Sequence, residues 1–277
     1  MNILHQKTDI TANTKKWQQA GETVCLVPTM GNIHSGHLAL IAKARQTASR
    51  VIVSIYVNPT QFGAGEDFDH YPRTLDSDCA AIEASGGCDA IYTPASMYED
   101  GHATSIVPGG VATPMEGEAR PHFFTGVATV VLKLFTHIPA DFAIFGEKDF
   151  QQLEVIRQMV RDLDLPVQIL AHSTIREADG LALSSRNHYL SPADRKLAPL
   201  LYAEMQVTAT QIKDGAPVEA ALEKARNRLT EAGFGAIDYF DLRRADDLQI
   251  CRFAAPHSRI FAAVWLGSTR LIDNHPL

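Results

Sequence analysis

Apolar residues come along this chain in short runs of two kinds. Residues 23–29 (Thr-Val-Cys-Leu-Val-Pro-Thr) are almost continuously apolar and close on Pro28, the texture of a strand covered on both faces. Residues 38–48 change period: Leu38, Ile41 and Ala42, then Ala44 and Ala48, recur at helical spacing. Residues 51–57 (Val-Ile-Val-Ser-Ile-Tyr-Val) are rich in β-branched side chains and stop at Asn58-Pro59. Strand, helix and strand in about 30 residues is the size of one βαβ unit. The pattern returns as a helix over 75–85 ended by Gly86-Gly87, a strand over 90–93 and an apolar helix over 127–136. A strand over 141–145, a helix over 150–163 and a strand over 166–170 follow. The alternation predicts an α/β fold with an open, mostly parallel sheet and helices on both faces.

Past residue 175 the texture changes. Ser191-Pro192 starts a helix, with Ser as N-cap and Pro in the first turn. A second helical stretch follows Gly215-Ala216-Pro217, and short strands are expected over 237–242, 259–266 and 270–272, the last two joined by Gly267-Ser268-Thr269. The expected organisation is a nucleotide-binding domain over 1–175 and a smaller α+β domain over 176–277 with an antiparallel sheet.

Composition narrows the function classes. Of 277 residues 45% are apolar, and 25 Lys and Arg against 32 Asp and Glu leave a net charge of −7. No basic stripe is present, which argues against a nucleic-acid partner. No run reaches the ~18 apolar residues of a membrane span, and the first seven residues hold no signal core. Four cysteines with no Cys-x-x-Cys pair read as reduced thiols of a cytoplasmic protein.

Chemistry gathers where strands give way to helices. Pro28-Thr29-Met30-Gly31-Asn32-Ile33-His34-Ser35-Gly36-His37 lies between the first strand and first helix, beyond a strand's carboxyl end and at a helix N-terminus that favours anions. His34 and His37 fall on one helix face, suited to donating hydrogen bonds to a phosphoryl group. Two ordinary surface histidines or a metal pair are the other readings of the spacing. Gly146-Glu147-Lys148-Asp149 has the same strand-to-helix setting, with Lys148 as a phosphate charge and Gln152 one turn further on. Asp179-Gly180-Leu181-Ala182-Leu183-Ser184-Ser185-Arg186-Asn187 offers hydroxyls and a guanidinium to a polyphosphate, on a segment suited to a mobile lid. Gln61, after the second strand, supplies a donor and an acceptor for a hydroxyl-bearing substrate. No covalent nucleophile, Walker A sequence or Gly-x-Gly-x-x-Gly fingerprint is present.

These segments, with Tyr71-Pro72-Arg73-Thr74 and the Gly-Val-Ala-Thr-Val-Val stretch from Gly126, resemble the pantothenate synthetase (pantoate–β-alanine ligase) family over about residues 23–190. The resemblance implies a Rossmann-like, cytidylyltransferase-type domain, with His-Ser-Gly-His as the His-Ile-Gly-His signature. It implies an Mg²⁺-dependent condensation of pantoate with β-alanine through a pantoyl adenylate, with ATP cleaved to AMP and pyrophosphate, in a homodimer. By position it makes His34, His37, Lys148 and Arg186 catalytic. Met30, Gly31, Gly146, Asp149, Ile175, Leu183, Ser184 and Ser185 would join them on ATP, and Gln61 and Gln152 would hold pantoate, Gln61 also facing β-alanine. No metal-ligating residue is assigned, because Asp76-Ser77-Asp78 has Ser where some members carry a further Asp. One departure is clear: the family's usual Arg-Pro-Gly-His-Phe reads Arg120-Pro121-His122-Phe123-Phe124 here. Other ligases of the superfamily and a non-catalytic nucleotide sensor are the competing readings.

Overall fold

The structure, a computed structural model, describes residues 1–277 and divides into two compact units. The first comprises residues 1–147 and 152–173, the second residues 148–151 and 174–277.

The first unit runs β1 (Asn2–Leu4), α1 (Lys7–Gln19), β2 (Val24–Thr29), α2 (Ser35–Thr47), β3 (Arg50–Ile55), α3 (Leu75–Ala84), β4 (Ala90–Tyr92), α4 (Glu116–Ala119), α5 (Phe123–His137), β5 (Phe142–Gly146), α6 (Phe150–Asp162) and β6 (Gln168–His172). The first two residues of α6 belong to the second unit. The six strands form one parallel sheet in the order β1-β4-β3-β2-β5-β6. The chain therefore winds outward from β2 in both directions, and the order reverses between β2 and β5. In such sheets the carboxyl ends at the reversal form a ligand-binding crevice. β2 pairs with β3 from Val24 to Thr29 but with β5 only at Cys25 and Leu26, so the central strands part before Pro28. Pro28 lies inside the strand rather than ending it, at a point where the ladder to β5 has finished and its missing N–H costs little.

Cys25, Val27, Val51, Val53, Ile91 and Ile144 are fully buried and pack with Ile41 and Ala44 of α2. That is why these strands read as continuous apolar runs. Three elements of this unit are additional to the expected ones, one of them the four-residue α4. α1 buries only Ile10 and Thr14, and apart from Ala12 and Trp17 the rest of it is polar, so its sequence carries no strong apolar stripe; Thr11 Oγ1 instead donates to the His137 carbonyl at 2.6 Å. β1 has three residues and exists through its pairing with β4. β6 starts at Gln168 rather than at Pro166, which has no N–H for the ladder with β5.

The second unit holds α7 (Pro192–Leu197), α8 (Leu200–Lys213), α9 (Val218–Glu231) and an antiparallel sheet ordered β7 (Ile237–Arg244), β8 (Ser258–Leu266), β9 (Thr269–Pro276). Met205, Ile212, Leu222 and Leu229 of the helices pack on Phe240, Ile260 and Val264 of the sheet. Ser191 caps α7 through the Asp194 N–H at 3.1 Å, as expected from Ser-Pro.

Candidate active site

The turn after β2 is built by hydrogen bonds that leave little choice of residue. Thr29 Oγ1 donates to the Ser54 carbonyl at 2.8 Å and accepts the Gly31 N–H at 3.2 Å. Gly31 has φ +84°, and a Cβ there would stand 2.9 Å from Asp78 Oδ2, so only glycine fits. The buried Asp78 carboxylate in α3 accepts the Asn32 N–H at 2.9 Å, the Ile33 N–H at 2.8 Å and the Thr74 hydroxyl at 3.1 Å. Nothing in the sequence around Asp78 points to this role. Its partners in the turn lie about 45 residues away, and no spacing rule links them.

The turn delivers His34 as the N-cap of α2, which begins three residues earlier than its apolar period suggests. His34 Nδ1 accepts the Gly36 N–H at 3.1 Å, and His37 Nδ1 accepts the His34 N–H at 3.4 Å. This is a reciprocal capping box made by two imidazoles, which stack with centroids 4.1 Å apart. Backbone N–H groups can only donate, so both Nδ1 atoms are acceptors and each neutral ring carries its proton on Nε2. Two Nε2–H donors thus stand at a helix N-terminus on the rim of the crevice.

Gln61 ends a short 3₁₀ turn (Pro59–Gln61). Its Oε1 accepts from Asn58 Nδ2 at 3.2 Å and its Nε2 points at Met30 Sδ, 3.3 Å away. Asn58 is buried and bonded on both sides of its amide: Oδ1 accepts from Tyr98 OH at 2.8 Å and Thr60 Oγ1 at 3.1 Å, and Nδ2 also reaches the Gly126 carbonyl at 3.2 Å. That saturation fixes the orientation of Gln61. Gly126 permits it, because a Cβ there would lie 2.3 Å from the Thr60 carbonyl oxygen. Gly146 ends β5 and Gln152 lies in the first turn of α6, half-buried. The first unit thus carries Met30, Gly31, His34, His37, Gln61, Gly146 and Gln152.

The remaining residues singled out from the sequence belong to the second unit. Lys148 and Asp149 form a 3₁₀ turn with Nζ 3.6 Å from Asp149 Oδ1. Residues 175–183 are a tight hairpin rather than a plain loop: the Leu183 N–H donates to the Ile175 carbonyl at 3.0 Å and the Glu177 N–H to the Leu181 carbonyl at 2.8 Å. The first of these bonds brings Ile175 and Leu183 together. Ser184 Oγ accepts the Arg186 N–H at 3.2 Å and starts the turn that carries Ser185 and Arg186. Arg195 clamps the hairpin tip through Asp179 at 2.6 Å and Glu177 at 2.7 Å. Its hydrogen bond holds the Asp179 carboxyl below the usual carboxylate range.

The match to known proteins is full length. The family model described as pantoate–β-alanine ligase covers residues 2–276. The chain belongs to the pantoate–β-alanine ligase family. A pantothenate synthetase of Hyphomonas neptunium is 47% identical over 281 residues, 99% of this chain and 96% of that protein. The pantothenate synthetase 2 of Bradyrhizobium diazoefficiens is 51% identical over 256 residues, 91% and 90% of the two chains. A crystal structure of pantothenate synthetase from Thermus thermophilus superposes with a TM-score of 0.93 at 40% identity, covering 99% of both chains. The pantoate–β-alanine ligase of Francisella tularensis, crystallised with a β,γ-ATP compound and β-alanine, matches at TM-score 0.82 and 33% identity over 100% and 97%. The parallel-plus-antiparallel fold and the ligase class expected from the sequence are those of this family.

The departure at 120–124 has local consequences in this ligase. His122 adopts a left-handed conformation, φ 77°, ahead of α5, the region that favours the family's usual glycine. Phe123 lies under the Arg120 guanidinium, 3.8 Å from the ring centre. Arg120 also donates to Glu66 at 2.6 Å and to the Gln61 carbonyl at 3.2 Å. The altered loop therefore packs against the segment carrying Gln61.

Proposed function

We propose that this ligase joins pantoate to β-alanine in two steps driven by ATP. A pantoate carboxylate oxygen attacks the α-phosphorus, the bond to the β-phosphate oxygen breaks, and pyrophosphate leaves. The β-alanine amine then attacks the carbonyl carbon of the pantoyl adenylate, AMP departs with the bonding pair, and the amine loses a proton. The observation that carries this reading is the stacked His34–His37 pair, in which both Nδ1 atoms accept backbone N–H groups, so that the ring proton of each falls on Nε2. Such donors stabilise charge that grows on a phosphoryl group in the transition state. His37 serves as the proton donor.

The other roles follow from side-chain chemistry. Lys148 and Arg186 neutralise the departing pyrophosphate. Met30, Gly31, Gly146, Asp149, Ile175, Leu183, Ser184 and Ser185 complete the ATP contacts. Gln61 and Gln152 hold pantoate, with the orientation imposed by Asn58 presenting the Gln61 amide nitrogen. Magnesium fits as the counter-ion of the ATP phosphates rather than as a protein-caged metal. Both Asp78 oxygens accept backbone or hydroxyl hydrogens.

The mixed anhydride is water-sensitive, and residues 176–277 are proposed as the lid that shields it, with Arg186 at the phosphates. No helix is long and apolar enough to cross a membrane; the four free cysteines suit the cytoplasmic location proposed for the chain. The family resemblance supports a homodimer, for which light scattering should give twice the 30.3 kDa chain mass.

The deciding experiment is pantoate-dependent exchange of labelled pyrophosphate into ATP, with Mg²⁺ and without β-alanine. Exchange is expected. ATP binding without exchange would overturn the adenylate route.

A further inference from the structure

The last strand of the chain carries two buried polar residues that the proposed reaction does not use. Asp273 and Asn274 lie side by side in β9, 6% and 4% exposed. Polar side chains buried to this degree are held for a reason, because each lost hydrogen bond would cost its desolvation in full. Their bonds lead to the two segments read as gripping ATP. Asn274 Nδ2 donates to the Lys148 carbonyl at 3.0 Å, and Asn274 Oδ1 accepts from Arg259 Nη1 at 2.7 Å. Arg259 in turn lies 4.3 Å from the centre of the Phe150 ring, whose edge meets Phe261. The short segment 148–151, flanked in sequence by residues of the first unit, is grouped with the second, and these contacts are the cause.

Asp273 does the same for the hairpin. Its carboxylate takes a two-pronged bond from Arg176, 2.6 and 2.8 Å. Arg176 Nη1 also donates to the Gly180 carbonyl at 3.1 Å, and its guanidinium lies 3.3 Å from the centre of the Tyr202 ring. Arg176 pairs with Ala182 across the hairpin whose end delivers Leu183, Ser184, Ser185 and Arg186. The two residues are tied to each other, since the Asn274 N–H donates to Asp273 Oδ1 at 2.7 Å. A planar guanidinium held from two directions fixes position in a way a single bond does not.

We infer that Asp273 and Asn274 are positioning residues for adenylation: from one point on β9 they set the backbone of Lys148 and the hairpin that carries Arg186. They act through those residues and not on substrate. The inference rests on the two-step reading above. It separates the half-reactions, because the charge these groups neutralise leaves with pyrophosphate in the first step and is absent from the second.

The test substitutes Asn274→Asp, which keeps the shape and the Arg259 contact but turns the donor facing the Lys148 carbonyl into a repelling oxygen. Two rates are measured against the unsubstituted enzyme: pantoate-dependent pyrophosphate–ATP exchange, and pantothenate formation from synthetic pantoyl adenylate with β-alanine. Exchange is expected to fall about 100-fold, the scale of a misplaced catalytic group, while aminolysis stays within about threefold. Asp273→Asn, which removes the charge facing Arg176, is expected to give the same split and carries the test if the first variant does not fold. Equal losses in both half-reactions, or unchanged exchange, would overturn the inference and leave the two-step reading standing. Absence of exchange in the unsubstituted enzyme would overturn the two-step reading and the inference with it.

Discussion

His34 and His37 combine two roles in one geometry: they cap a helix through Nδ1 and so present Nε2 as a donor. The arrangement makes a discriminating prediction. At position 37, Gln places its amide nitrogen near the ε position, whereas Asn reaches only the δ position. His37→Gln should lower pyrophosphate exchange about tenfold and His37→Asn about 100-fold or more, the usual size of a lost transition-state donor; equal losses would remove Nε2 from the chemistry. Asp78 is the residue that holds the turn before them. Asp78→Ala leaves the Asn32 and Ile33 N–H groups and the Thr74 hydroxyl without an acceptor. Urea unfolding should show a loss of about 2–3 kcal/mol, with a fall in exchange because the His34 turn is released. His122 is the opposite case. It is exposed and left-handed, so His122→Gly should raise stability by about 0.5–1 kcal/mol, the left-handed strain less the extra chain entropy of glycine, with exchange unchanged.

At the scale of elements, the site depends on how closely α5 approaches the 3₁₀ turn that carries Gln61. Gly126 is the contact point, with no room for a methyl group against the Thr60 carbonyl. Gly126→Ala must push the turn or the helix away and break the Asn58–Gly126 hydrogen bond. The expected result is a stability loss of about 1–3 kcal/mol from overpacking together with a raised KM for pantoate; a loss of stability at unchanged KM would detach Gln61 from substrate binding. The apolar helix period of this stretch starts at Val127, whereas α5 begins at Phe123, after the left-handed His122. A helix start set by one backbone conformation and by Arg120 stacked on Phe123 leaves no periodic trace. The histidine cap of α2 was equally hard to read, since helix-start signals are ordinarily Ser, Thr, Asp or Asn.

At the scale of the whole molecule, a pair of buried polar groups in the first unit sets a pH limit. Burial holds the His137 imidazole down at about 4, with Lys7 and Lys133 adding repulsion, against an ordinary 6.5. Its Nδ1 meets the Tyr92 hydroxyl at 2.9 Å, where α5 ends beside β4. Unfolded chain takes up a proton near pH 6.5 and folded chain does not until about 4. Stability present above pH 6.5 therefore declines as pH falls toward 4. Between about pH 7 and pH 4.5 the unsubstituted protein should lose about 2 kcal/mol more than His137→Gln, read from urea midpoints; parallel declines would exclude His137 as the cause. By itself the sequence determined the α/β order, the continuous strands of the parallel sheet, the antiparallel C-terminal strands and the turns where His34, His37, Lys148 and Arg186 stand. Those features follow from local periodicity, from glycine and proline placement and from side-chain chemistry, all written within a few residues. Tertiary structure alone decided that Asp78 holds the His34 turn, that Asn58 orients Gln61 and that Asp273 and Asn274 reach the backbone of Lys148 and the Arg176 hairpin. Each of these depends on hydrogen bonds in buried surroundings to groups far apart in the chain, for Asn58 those from Tyr98 and to Gly126, and no pattern of neighbouring residues encodes such a bond.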